Sequence, residues 1–313
     1  MLQIRKITPA DFDEVHAHLL TQVDPAIPRS RWQRTFGNYT GSDEQHCGYV
    51  LTDGGRLVGV LGAIFSERQI EGAAARFCNI HCWYVQEEYR PRSLMLMQPI
   101  LRLKDHTITD LTPSIRVAAI AKRLGFITLD RSAVILPALG RLPDDTDATI
   151  EDVSDRAEAW PDLDPETWRL HRDHQDAECR AAWLQDGQEH CYIAYSLVSR
   201  HRWPYCLVHC VTNPGLLARQ HARFRSFVLS RTGGRYVAID SRLLAGQSVP
   251  RSFRVRSNEQ LYRPHRVEPH QVDSLYTELA FLKHSIFPGL HQRVRYAVKR
   301  CFPQSIQKLF PPA

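Results

Sequence analysis

No run in these 313 residues approaches the roughly 20 consecutive apolar positions that cross a bilayer, so a membrane-spanning helix is excluded. The first residues, MLQIRKITPADFDE, lack the basic-then-apolar pattern of a secretory leader, and a cytoplasmic placement is expected. The eight cysteines show no zinc-finger spacing, and most lie in apolar runs, as reduced buried thiols do. Two C-x-x-x-C pairs, Cys78/Cys82 and Cys206/Cys210, fall on predicted strands. A spacing of four there puts both side chains on one face but roughly 13 Å apart, too far to share an ion. No metal site is expected. A helix-turn-helix and an aromatic stacking platform are also missing, so nucleic acid is not an expected partner. Acidic residues are missing from Lys283 onward, and residues 251–313 carry more net positive charge than the whole chain, whose balance is +6. HQRVRYAVKRCFPQSIQKLF mixes aliphatic and aromatic residues with cations, as a segment does that lies on an anionic membrane surface, holds an anionic acceptor, or packs an apolar face on a core.

The length and the 43% apolar content suit two moderate cores. GRLPDDTDATIEDVSDRAEAWPDLDPE is acidic and proline-bearing and reads as a linker running into new structure. The expected division is a first domain at 1–138, a linker at 139–150, a second domain at 151–265 and a basic helical tail at 266–313.

In the first domain the order of elements carries the information. LQIRKI reads as a strand, Thr8 caps a helix that follows Pro9, and Asp53-Gly54-Gly55 turns a hairpin into RLVGVLGAIF. ARFCNIHCWYV is the next strand, followed by the basic turn QEEYRPRSLML, a helix, the strand HTITDL and a helix closing in RLGF. A helix N-terminus behind a strand offers unpaired N–H groups and a positive dipole end, and Arg90 and Arg92 at that turn suit pyrophosphate. An ordinary solvated turn of Glu87, Glu88, Arg90 and Arg92 is the other reading.

This stretch resembles the GNAT (GCN5-related N-acetyltransferase) superfamily: a strand ending in Val85, Tyr89-Arg90 with Ser93 and Met95 in a V-x-x-x-Y-R-x-x-G-x-G-like turn, Thr107 to Leu111, and Leu124-Gly125-Phe126. The resemblance spans roughly residues 1–138. It implies an α/β fold of mixed, mostly antiparallel sheet flanked by helices. It also implies acetyl- or longer acyl-coenzyme A as a substrate, held by Val85, Arg90, Arg92, Ser93 and Leu94, with Ser114 in reach from the next corner. Two positions depart from the pattern. Ser93 and Met95 stand where the family has glycines, and Ala121 stands where many members carry the tyrosine that protonates the leaving thiolate.

Among candidate catalytic residues His81 is the expected base, since histidine titrates in the right range, with Asn79 as its orienter. Alternation from Val85 places Trp83, His81 and Asn79 on one face and Tyr84, Cys82 and Cys78 on the other. Asp110 at the end of HTITD is a second candidate, and Tyr84 a substitute acid. Beyond residue 150 a helix at 165–184, the strands HCYIAYSLV and YCLVHCV, a helix at 215–229 and RYVAIDSRLL repeat the central order, which predicts a degenerate second copy of the fold. The expected function is transfer of an acyl group to a small amine. The Y-R-P-R-S-L turn and DSLYTELAFL are similar to acyltransferase-like proteins of bacterial surface polysaccharide synthesis, which implies an amino-sugar acceptor. A non-catalytic binding or scaffold protein of the same fold, and acyl carrier protein as the donor, are the alternatives.

Overall fold

In the computed structural model, which describes residues 1–37, 39, 46–138, 147–159, 163–200 and 203–287, the apolar runs fold into two seven-stranded sheets. Alternation of buried and exposed positions makes β1 (Leu2–Lys6), and Asp11 accepts bonds from both the backbone N–H and the hydroxyl of Thr8 at the cap of the helical turn that follows. Next come α1 (Phe12–Val15), α2 (Thr21–Val23) and α3 (Arg29–Arg34). Gly54 and Gly55, both at positive φ, form the two-residue turn between β2 (Gly48–Asp53) and β3 (Arg56–Ile70), where a side chain would be strained. The strand β4 (Ala73–Val85) leads into a 3-10 helix, Glu87–Arg92, and then α4 (Leu94–Leu101). The pair β5 (His106–Asp110) and α5 (Ile115–Arg123) follows, and Gly125 at φ +90 ends that helix before the buried Phe126. Short strands β6 (Ile127–Thr128) and β7 (Ser132–Pro137) end the first half.

The second half contains β8 (Thr149–Asp152), α6 (Pro165–His174), β9 (Arg180–Asp186), β10 (Glu189–Arg200), β11 (Trp203–Val211), α7 (Pro214–Arg219), α8 (His221–Thr232) and β12 (Tyr236–Asp240). The expected helix at 165–184 stops at His174. Its last part, including Ala181, Ala182 and Trp183, is strand β9, because both faces of that apolar run are buried and β8 and β10 supply its hydrogen bonds. The helix expected at 215–229 breaks at Gln220 into α7 and α8. Residues 139–146 of the expected linker lie outside the described residues, and Thr149–Asp152 is an edge strand.

The sheet orders are β1-β2-β3-β4-β5-β14-β6 and β8-β9-β10-β11-β12-β7-β13, where β13 is Phe253–Arg256 and β14 is Leu261–Arg263. Position by position the two sheets match, with one parallel pair in each, β4/β5 and β11/β12. The sixth strand is exchanged. β7, from the first half, pairs with β12 and β13, while β14, from the second, lies between β5 and β6. The boundary near residue 140 therefore divides the chain but not the sheets. Residues 272–287, at the head of the expected basic tail, are packed as core: Val272, Leu275, Tyr276, α9 (Glu278–Phe281) and Phe287 are buried between the halves. The rest of that tail, residues 288–313, lies outside the described residues.

Candidate active site

ARFCNIHCWYV is a strand with one residue too many. Gly62 of β3 faces His81 and Val60 faces Tyr84, so the register slips there, and Cys82 takes φ +44. An inserted residue bends the strand it sits in. On the other side of β4, parallel pairing with β5 ends at Asn79↔Thr109. The two strands part beyond that point, just before the bulge.

The bulge also corrects the expected alternation. Trp83 and Val85 join Cys78 and Ile80 on the face packed by α4 and α5, whereas Cys82 and Tyr84 pack against the N-terminal helices, toward His81 and Trp32. His81 thus shares a face with Tyr84, opposite Trp83. Cys78 and Cys82 point to opposite faces, and so do Cys206 and Cys210, where β11 carries its own slip at His209. The cysteines among the described residues are free thiols.

The structure puts Asn79 and Asp110 beside a group that sequence reasoning missed, with His81 two residues along β4 from Asn79. Glu278, at the start of α9, accepts from the Leu111 N–H (3.1 Å) and the Thr112 hydroxyl (2.9 Å) through Oε1. Its own N–H donates to Asn79 Oδ1 (3.4 Å), and Asn79 in turn donates to Thr109 Oγ1 (3.0 Å). Glu278 is 1% exposed, Asp110 7% and His81 6%. Burial pushes the Glu278 carboxyl up to about 7. Burial first, and the Glu278 charge second, hold Asp110 well above the usual carboxylate range. Burial, with His284 as a lesser cause, pushes the His81 imidazole down to about 3, so it is neutral at physiological pH. Its ring lies directly on Gly62, where an added Cβ would come within 2.3 Å of it. The signal for Glu278 was a single acid inside the apolar run SLYTELAFL, since carboxylates are almost never fully buried without a role or a partner.

The expected pyrophosphate residues are not alike in exposure. Arg90 is exposed and paired to Glu87 (3.2 Å), Arg92 is exposed, Leu94 is 47% exposed, and Val85 is buried in the core. Instead of an open turn the segment is wound into a 3-10 helix, with Tyr89 N–H on Gln86 O and Ser93 N–H on Arg90 O. Ser93 O accepts from the Trp83 indole (3.3 Å). Met95 packs into the core and leaves the turn uncrowded. Ser114 caps α5, accepting from Val117 N–H (3.3 Å). Ala121 is fully buried against the core, so this chain has no tyrosine at that position and no room for one.

At the matching corner of the second sheet the chemistry is different. Asp240, at the end of β12, receives the Arg242 guanidinium at 3.0 and 2.7 Å, and Arg242 also donates to Val272 O (3.0 Å). Asn213 caps α7 through Leu216 N–H (2.9 Å). Both groups are spent on structure. Asp110 has Thr112 where Asp240 has Arg242, and meets an acid where Asp240 meets a cation.

The geometry has counterparts among solved structures. A GCN5-related N-acetyltransferase from Anabaena variabilis superposes with a TM-score of 0.56 at 11% identity, over 84% of this chain and 72% of that one. Another from Kribbella flavida gives 0.52 at 16% identity, over 84% and 70%. A putative acetyltransferase from Pyrococcus horikoshii gives 0.50 at 14% identity, over 92% and 94%. The chain has the GCN5-related N-acetyltransferase fold. No family model and no curated protein matches the sequence. The chain's two parallel-strand corners hold different chemistry, two buried acids side by side in the first and an acid–cation pair in the second. No helix among the described residues is long and apolar enough to cross a membrane.

Proposed function

We propose that the chain is an acyl-coenzyme A-dependent N-acyltransferase whose chemistry sits at the β4/β5 splay of the first half. The observation that carries this reading is the cluster of Asn79, His81, Asp110 and Glu278 buried where two parallel strands part. A buried acid without a cation costs stability, and strongly perturbed groups close together mark a candidate functional site. In this reading Arg90 and Arg92 meet the pyrophosphate at the rim. Backbone N–H groups of β4 beyond Asn79 polarise the thioester carbonyl, and Asn79 fixes the acid network. His81, held neutral, hydrogen-bonds to substrate, and Tyr84 on the same face is the candidate acid for the thiolate. The acceptor is an amine, with an amino sugar as its specific form. The test is thiol release from acetyl-coenzyme A with glucosamine and a panel of primary amines, with the product identified by mass spectrometry. An acetylated amine is expected, and free acetate alone would contradict the reading.

One observation favours a non-catalytic binding protein instead. The N–H groups of Tyr89 and Ser93 are used within the turn, Pro91 has none, and the Arg90 side chain is already paired. On that reading acetyl-coenzyme A leaves the melting temperature unchanged; on ours it raises it.

A further inference from the structure

Several buried polar atoms without partners lie on β4, α3 and the α9 segment. Both ring nitrogens of His81, Nε2 of His284, the Trp32 indole nitrogen and Oε2 of Glu278 have no hydrogen-bond partner, and the Trp32 and His81 rings lie 6.3 Å apart. Orphaned buried groups are rare and call for an explanation, and polar ligand atoms that complete them are one. Glu278 is the most specific of these. Two bonds to Oε1 fix the carboxyl on the end of β5, and Oε2 is left over.

Resting on the acyl-transfer reading above, we infer that Glu278, delivered to the first half's site by the second half, takes the proton from the attacking amine, and that Asp110 is a positioning residue that shares that proton. The ammonium gives one proton to Oε2. The freed nitrogen forms the C–N bond, the C–S bond breaks with its electron pair on sulfur, the nitrogen's second proton ends on the thiolate, and the first leaves to solvent. His81 is too weak a base for this step, whereas a carboxyl poised near neutrality matches it. The titratable groups on the elements packed around α9 leave Glu278 this role. From β4 they are His81 and Cys82, both neutral, and from β5 Asp110. From its own segment come His284 and Lys283, both pushed down by burial, and Lys283 is bonded to Glu178 O (3.0 Å). From α3, Arg31 and Arg34 are engaged by Glu178, and from α6, His174 is bonded to Leu170 O.

The experiment uses the full chain, acetyl-coenzyme A, and glucosamine, hydroxylamine and primary amines as acceptors. Glu278→Gln keeps Oε1 as an acceptor. It is expected to bind acetyl-coenzyme A with unchanged heat, to lose about 100-fold or more in kcat/KM, and to lose the rise of rate through about pH 7 that the unaltered chain shows. Thr112→Val, which removes a bond to the ionised carboxyl, is expected to move that midpoint upward. Wild-type turnover and pH profile in Glu278→Gln would overturn the inference alone. No heat with acetyl-coenzyme A in the unaltered chain would overturn the acyl-transfer reading and the inference together, as would binding without thiol release toward any acceptor.

Discussion

At the scale of residues, the contact of His81 with Gly62 is the tightest constraint on the cleft. Any side chain at 62 enters the imidazole's space, so Gly62→Ala is expected to cost about 1–3 kcal/mol by chemical denaturation. His81→Ala in the same chain should restore much of it, and strictly additive losses would count against the contact. Glu278 sets a slope of stability with pH. The folded chain keeps its proton up to about 7, while an unfolded chain releases it near 4.5, so the folded state holds more protons across that window and loses stability as pH rises. His81 acts in the opposite sense, gaining stability as pH rises from about 3 to 6.5. Comparing Glu278→Gln with the unaltered chain cancels the histidine. The variant should be the more stable of the two above pH 7, and equal urea midpoints at pH 5 and pH 8 would rule this out. The places of Asn79, His81 and Asp110 on β4 and β5 were legible because those strands stand out in the sequence. Glu278 was not, because 167 positions separate it from Leu111 and no periodicity links them.

Among the elements, strand β4 shows where pattern reading stops. Its existence and its ends follow from β-branched and aromatic residues, but a continuous period of two cannot foresee an inserted residue, and one bulge at Cys82 exchanges the faces of everything beyond it. RAAWLQD failed for a different reason: a short apolar run buried on both faces fits helix and strand equally until its neighbours are known. The corner after β12 yields a prediction at this scale. Arg242→Ala leaves Asp240 buried without its cation and should cost about 3–5 kcal/mol, while replacing both by apolar residues of similar volume should recover most of that. A loss below about 1 kcal/mol for the single change would mean that the pair is solvated.

For the whole molecule, the exchange of β7 and β14 makes the halves interdependent. Residues 1–146 alone would leave the apolar strand Ala133–Leu136 unpaired and β5 without β14 on its other side, so neither half is expected to fold by itself. The full chain should unfold in one transition by circular dichroism and tryptophan fluorescence, and two separated transitions, or a folded 1–146 fragment, would contradict this. The repeated order of strands could be read along the chain, but the exchange could not, since it depends on pairings between the ends of the two halves. The second half closes its own corner with Asp240 and Arg242 and lends Glu278 to the first, so the account assigns one donor site to each chain. Calorimetric titration of acetyl-coenzyme A into the full-length protein tests this most directly. One equivalent of binding, lost in Arg90→Glu/Arg92→Glu, is the predicted result; no heat, or two equivalents indifferent to those arginines, would contradict it.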